Sequence, residues 1–535
     1  MPGCYMGIDV GTGSARAGVF DAGGALLGVA KADIAVHRGP DVRVEQSSAD
    51  IWGAVCRASR QAVAAAGIEA AAVRGIGFDA TCSLVVLDGG GRSLPVGSSG
   101  DPDRDVIVWM DHRALDQARR INETGHDVLR YVGGSISPEM QTPKLLWLKE
   151  NMPDTFREAG HFLDLTDFLT WRATGSMARS LCTVTCKWTY LAHEKRWDDS
   201  YFEAVGLSEL AEDGHARIGT EIVEPGTALG AGLTENSARE LGLTPGCAVA
   251  AGLIDAHAGG VGTVGADGGG GVAGNMGYVF GTSSCTMTST ADPVFVPGVW
   301  GPYYSVMVPG TWLNEGGQSA AGAAIDQLVS YHPAAAEARA LAEEAELSVV
   351  DWLTCEAERR ANSPAEAARL AGALLVVPEF LGNRSPFARP EARAVISGLG
   401  MKRDLDSLVA LYVAGLCGLG YGLRQILSAQ AERGAAVERI VISGGAGRAP
   451  LIRQILADAT GTLVAATASD EPVLLGSAIL GAVATGAHAS VADAMPAMSR
   501  LSETYAPTGG AVAEWHAAKF DLFERFQALS WDAVQ

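Results

Sequence analysis

Apolar and polar positions along the chain form short hydrophobic runs closed by glycine-rich turns, and one such pattern occurs twice. Met6-Gly7-Ile8-Asp9-Val10 runs into Gly11-Thr12-Gly13-Ser14, after which Arg16 to Phe20 resumes the apolar pattern. Met276-Gly277-Tyr278-Val279-Phe280 runs into Gly281-Thr282-Ser283-Ser284, followed by Cys285 to Ser289. The segments align without gaps, half a chain apart. Each predicts a β-hairpin whose glycines supply the backbone freedom of a tight turn. Their recurrence predicts a duplicated domain.

Helical and strand patterns alternate around these hairpins. Ser47 and Asp50 form a capping-box-like start for a helix that reaches Ala66 and is closed by Gly67. Arg74 to Phe78, Leu84 to Asp88 and Arg439 to Ser443 read as strands, and Pro450 opens a helix ending before Gly461. The alternation predicts an α/β fold. Ala266-Asp267-Gly268-Gly269-Gly270-Gly271 reads as the boundary between a first domain, residues 1–265, and a second, residues 272–535.

Composition narrows the class. A chain of 535 residues exceeds one hydrophobic core, and 48% hydrophobic with 19% charged residues suits a well-buried globular enzyme. The net charge of -21 repels phosphate backbones, so nucleic acid is not an expected partner. Ser407 to Leu423 and Pro472 to Ala492 are apolar but interrupted by small and polar residues, and read as buried helices rather than membrane spans. Met1 to Val10 lacks a basic segment leading into a long apolar core, so a cytoplasmic location is expected. The 9 cysteines form no paired framework; Cys182 and Cys186 are the one close pair, and reduced thiols are expected.

Three turns carry chemistry. Asp9 ends a strand before a turn whose exposed N–H groups can cradle phosphate oxygens, with Thr12 and Ser14 as hydroxyl donors and Asp9 able to hold Mg²⁺ through water. An ordinary β-turn with a surface acid explains the same residues, but the echo at Gly281 to Ser284 favours two phosphate loops facing a nucleotide. Val279 stands where the first half has Asp9, so only one loop can position metal. Ser443-Gly444-Gly445-Ala446-Gly447-Arg448 joins a strand to a helix through residues small enough for a flat ring to lie against the backbone. Gly252-Leu253-Ile254-Asp255-Ala256-His257 leads a strand into a helix, and Asp255 stands at the strand end as either a functional acid or an N-cap.

Together, in this order, these motifs resemble the FGGY carbohydrate kinases of the actin-like ATPase superfamily, over nearly the whole chain. The resemblance implies two ribonuclease-H-like domains flanking a cleft, Mg²⁺ and ATP as cofactor and co-substrate, and Asp255 as the catalytic base. It places ATP against Gly11, Thr12, Gly13, Ser14 and Arg16, against Gly281, Thr282, Ser283 and Ser284, and against Gly444, Gly445, Ala446 and Arg448.

The sugar loop is Gly77-Phe78-Asp79-Ala80-Thr81-Cys82-Ser83-Leu84-Val85. Glycerol kinases carry an Arg-Glu pair and xylulose kinases a Met-His pair where this chain has Cys82-Ser83. Its Thr-Cys-Ser-Leu-Val run resembles the D-ribulose kinase branch. Lys187 and Glu315 match sugar-binding residues of L-ribulose kinases, and Asp111 lies in a family segment near the sugar, although it can simply pair with Arg113. Relatives commonly have histidine at the position of Thr286, a departure that bears on which sugar is bound. The resulting expectation is a D-ribulose kinase, with L-ribulose, ribitol or another polyol as alternatives. A non-catalytic actin-like ATPase is the rival class, disfavoured by an acid placed to activate a hydroxyl. Oligomeric state is left open, a homodimer included.

Overall fold

The computed structural model describes residues 3–39 and 42–533, the side chain of Ala446 excepted. Two mixed sheets dominate. In the first, strand Cys4–Val10 pairs antiparallel with Ser14–Phe20, which pairs antiparallel with Leu26–Asp33. On its other side Cys4–Val10 runs parallel to Val73–Ala80, which runs parallel to Ala248–Val249. The second sheet repeats this order with Trp312–Gln318, Ser284–Thr290, Asn275–Phe280, Arg439–Ser443 and Leu463–Thr467, and adds a strand at each edge. Equal order and equal strand senses in two sheets carry the duplication beyond a short sequence echo.

Local signals explain the elements. Helix Ser48–Ala66 starts at Ser47, whose side chain accepts from the Asp50 amide, and stops at Gly67 in the left-handed region. Helix Pro450–Thr460 begins on its proline and stops at left-handed Gly461. The two apolar stretches are helices Leu405–Ala431 and Pro472–Ala484. Leu405–Ala431 is long and apolar enough to cross a membrane, but its most apolar window is 72% buried within the protein.

Packing does not follow chain order. Helix Pro472–Ala484 lies in the second half of the sequence, yet it packs on strands Cys4–Val10 and Val73–Ala80 of the first sheet. Backbone touches backbone there: a Cβ on Gly7 would sit 1.8 Å from the Leu474 carbonyl oxygen, and one on Gly77 1.9 Å from that of Ser477. The same helix meets helix Asp255–Val261 through Gly476, whose Cβ would lie 1.9 Å from the Ala258 carbonyl oxygen. The proposed boundary at 266–271 is therefore a division of the chain rather than of the packed layers. That loop is also tied down, since Asn275 Nδ2 donates to the carbonyls of Val264, Gly269 and Gly271.

These contacts give a first expected result. Gly7→Ala should lower the melting temperature, at a cost of about 1–3 kcal/mol, because carbonyl backbone cannot yield as a side chain can. Gly13→Ala, where a Cβ meets nothing within 4 Å, should stay within about 0.5 kcal/mol. Thermal denaturation of both variants checks the pair.

Candidate active site

Strand pairing brings the acids together. Asp9 and Asp79 are register partners on adjacent parallel strands, and Asp255 follows Leu253–Ile254, which pairs with Asp79 and Ala80. Asp79 is fully buried: Ser477 donates to its Oδ2 at 2.6 Å, and its Oδ1 has no partner. Burial, then the neighbouring Asp9, pushes the Asp79 carboxyl well above the usual range. Asp9 Oδ2 accepts from Arg16 Nε at 3.0 Å and Nη2 at 2.5 Å, and Arg16 Nη1 donates to Glu471 at 2.7 Å. Arg16 is thus a clamp on Asp9 rather than a free cation.

Asp255 opens the short helix Asp255–Val261, with its Oδ1 accepting from the Ala256 amide at 2.7 Å. Burial and the Asp9 charge raise its carboxyl to about 7, against the opposing pull of Lys187. A carboxyl that ionises near neutrality and stands at a strand end is suited to accept a hydroxyl proton.

The Thr81-Cys82-Ser83 loop adjoins it. The Thr81 amide donates to the Val10 carbonyl at 3.0 Å, and the Thr81 and Ser83 hydroxyls are 3.1 Å apart. Burial pushes the Cys82 thiol up to about 12, so it is neutral, in the field of both Lys187 and Asp255. Trp109 ties this loop to the first phosphate loop: its amide donates to Ser83 Oγ at 3.2 Å and its indole Nε1 to Thr12 Oγ1 at 2.9 Å.

Lys187, in helix Leu181–Trp188, is not a surface lysine. Its Nζ is 3.8 Å from Glu315 Oε2 and 4.5 Å from the centre of the Trp300 ring, and both charged side chains are 4% exposed. Glu315 holds the Lys187 ammonium well above its ordinary pKa despite burial. In turn, Lys187 and His257 outweigh burial and bring Glu315 down to about 2. The pair is fully ionised at neutral pH.

Some expected positions shift. Asp111 is fully buried and saturated: Arg113 grips both its oxygens, and the amides of Val44 and Arg113 donate to them. Each oxygen already accepts two hydrogen bonds, which makes Asp111 a structural acid rather than the expected sugar ligand. Thr286 is fully buried beside Gly316, where a Cβ would lie 2.8 Å from Thr286 Oγ1. Cys285, one residue earlier and on the other face of the strand, is the one in the field of Asp255, Lys187 and Glu315.

The two Gly-Thr turns also differ from expectation. Gly11 and Gly281 close the turns by donating to the Ser14 and Ser283 carbonyls, both at 3.0 Å. Neither they nor Gly13 has a positive φ. Their lack of a side chain therefore leaves backbone open rather than permitting an unusual conformation. Thr282 lies at the start of helix Gly322–Tyr331, whose entry donates from the Ala321 and Ala323 amides to the Thr282 carbonyl. Gly444, with φ of 92°, crosses so close to this turn that a Cβ would meet the Phe280 carbonyl oxygen at 2.4 Å. Gly445 is open, and Arg448 is exposed with Nη2 donating to the Asp470 carbonyl at 3.3 Å. The side chain of Ala446 lies outside the described residues.

Sequence reasoning missed Asp79, Glu471, His257 and Arg384. Arg384 sits 5.7 Å from the Trp300 ring centre, with Lys187 over the same ring, and 3.9 Å from Cys285 Sγ. Asp79 was legible as an inward-facing acid in an apolar strand, and His257 as the residue two beyond Asp255. Glu471 and Arg384 carried no local signal.

The N-terminal domain model of the FGGY family of carbohydrate kinases matches residues 4–262, and the C-terminal domain model matches residues 276–485. A human FGGY carbohydrate kinase domain-containing protein is 47% identical over 512 residues, covering 94% of this chain and 92% of the relative. A D-ribulokinase of Saccharomyces cerevisiae is 38% identical over 516 residues, covering 90% and 72%. The fold matches a xylulose kinase from Rhodospirillum rubrum with a TM-score of 0.79 at 21% identity, covering 99% of each chain. It matches a Plasmodium falciparum glycerol kinase with ADP at 0.77 and 15% identity, covering 98% of each. With two family models spanning both duplicated sheets and relatives aligned along nearly the full length, the chain belongs to the FGGY family of carbohydrate kinases.

Proposed function

We propose that the protein transfers the γ-phosphoryl group of ATP to the terminal hydroxyl of D-ribulose, giving D-ribulose 5-phosphate. The observation that carries this reading is the ionised, buried Lys187–Glu315 pair next to the neutral Thr81-Cys82-Ser83 loop and Asp255. Opposite charges on facing side chains offer both donors and acceptors to a row of hydroxyls. The neutral loop leaves room for a sugar longer than glycerol. The 38% identity to the yeast D-ribulokinase supports the same choice.

Asp255 accepts the proton of the attacking hydroxyl, and the alkoxide character that develops is directed at the γ-phosphorus. Backbone amides of the two Gly-Thr turns, other than those of Gly11 and Gly281 that close the turns, receive phosphate oxygens, and the Gly444-Gly445 turn receives the adenine. Asp9 fits Mg²⁺: Arg16 grips its Oδ2 and leaves Oδ1 as a hard oxygen donor beside the first phosphate turn. When bound there, Mg²⁺ would offset charge on the phosphate oxygens. Arg16 and Glu471 hold Asp9 in place for this role.

Asp9→Ala should raise the Mg²⁺ concentration for half-maximal rate about 10- to 100-fold. Val279→Ala, at the matching position of the second hairpin, should leave it unchanged. A Mg²⁺ titration of both variants decides whether the two hairpins are asymmetric as proposed.

The substrate is tested by kcat/KM for D-ribulose, L-ribulose, ribitol, D-xylulose and glycerol at identical ATP and Mg²⁺. Each inverted hydroxyl leaves a buried polar group unmatched, which should cost about 5- to 150-fold. D-Ribulose should lead and glycerol should trail. A tenfold advantage for L-ribulose or ribitol would overturn the sugar while leaving carbohydrate kinase activity intact.

A further inference from the structure

Asp255 is followed two residues later by a histidine that the phosphoryl-transfer step leaves unused. His257 is fully buried, and both of its ring nitrogens are engaged. Nδ1 lies 3.1 Å from Cys182 Sγ, and Nε2 lies 3.3 Å from Glu315 Oε2. Cys186, one helical turn beyond Cys182, completes a buried cluster with them. Lys187, the next residue, approaches Glu315 from another side, and it also meets Oε2. Both side chains converge on Oε2 of the carboxylate, and no side chain is hydrogen-bonded to Oε1 among the described residues.

The charge states agree with the geometry. Burial alone would lower the His257 pKa, but Cys182 and Glu315 outweigh it and bring the ring to about 10. Burial alone would raise the Cys182 thiol, but Cys186 and His257 pull it down. Both shifts favour a ring that donates from each nitrogen, toward Cys182 on one side and Glu315 on the other.

We propose that His257 is a positioning residue for sugar recognition, bracing Glu315 through Nε2 while Cys182 anchors the ring from behind through Nδ1. This inference rests on the sugar-binding role of Glu315 proposed above. His257 does not touch the sugar; it fixes the acid that does. A charge-assisted hydrogen bond of this kind carries about 10- to 100-fold in binding.

Three variants separate the inference from that reading. Glu315→Gln should lower kcat/KM for the sugar at least about tenfold while the KM for ATP stays within about twofold. A near-normal Glu315→Gln would remove Glu315 from the sugar site and overturn both claims. His257→Gln keeps a donor near the Nε2 position, and His257→Asn keeps one only near Nδ1. His257→Asn should lose about 10- to 100-fold in sugar kcat/KM, and His257→Gln should recover most of that loss. The double variant Glu315→Gln/His257→Asn should be no worse than Glu315→Gln alone. If Glu315→Gln shows its loss but the two His257 variants fall equally, or their losses add to that of Glu315→Gln, or sugar and ATP parameters move together, His257 is merely structural. Should His257→Asn fail to fold, Cys182 supplies the test. Cys182→Ala should raise the sugar KM several-fold, and Cys182→Ser, which keeps an acceptor for Nδ1, should raise it less. An unchanged sugar KM in Cys182→Ala overturns the proposal.

Discussion

Replacing Asp255 with asparagine should lower kcat by about 10²–10⁴ and at the same time make the protein more stable at neutral and alkaline pH. The first effect follows from removing the proton acceptor while keeping the shape. The amide oxygen can still accept from the Ala256 amide, so the helix start survives. The second follows from the raised carboxyl. Its pKa is about 7 in the folded protein against an ordinary value of 3.8, so the native state binds the proton more tightly than the unfolded chain. The carboxylate's destabilisation is absent below the unfolded value, grows as pH rises between the two, and is complete above about 7. That gap is worth on the order of 4 kcal/mol as a ceiling, because asparagine also loses favourable contacts. A gain of about 1–3 kcal/mol at about pH 8, vanishing near pH 4, is the expected outcome. Wild-type kcat/KM for the sugar should correspondingly rise with pH to a plateau above about 7. Thermal melts across this range, paired with single-turnover rates, check both effects. A variant that is inactive but no more stable would show that Asp255 ionises at its ordinary pH, and one with near-normal kcat would remove it from the chemistry.

The origin of that raised pKa also shows what the sequence could and could not convey. The Gly-Thr hairpins, the strands at Arg74 and Arg439 and the capped helices were legible because each is set by neighbours in sequence: a turn, an apolar alternation, a serine or proline start. The pairing of Asp9 with Asp79 is set by the register of two strands separated by a whole crossover, which no local pattern states. The glycines at 7, 77 and 476 looked like ordinary small residues in apolar runs, and their cause is a helix arriving from the other half of the chain. Asp111 and Lys187 show the same limit in opposite senses. Both could be read as sugar ligands or as bland structural charges. For Asp111 the neighbour two residues away supplied the true partner, Arg113. For Lys187 the partner is Glu315, on a strand of the other sheet.

Lys187→Met should lower kcat/KM for the sugar by about 10²–10³ while the KM for ATP changes by less than about threefold. Methionine matches the length of the lysine stem and can lie against the Trp300 ring, so packing in helix Leu181–Trp188 is preserved. What disappears is the ammonium that holds Glu315 ionised and, on the proposed reading, binds the sugar. Glu315 is not left wholly unpaired, since His257 still donates to the same oxygen. The fold should therefore persist, and the loss should fall on the substrate rather than on stability. Lysine here also counters the negative field around Asp255. Without it, the plateau of the pH profile should move to higher pH, because the remaining carboxylates resist ionisation of another acid beside them. Measuring sugar and ATP kinetics over the same pH range separates the two contributions. A uniform fall in kcat/KM for both sugar and ATP with an unmoved pH profile would make Lys187 a packing residue. A selective loss for the sugar with an upward-shifted profile would tie binding of the hydroxyls and ionisation of the base to a single buried charge.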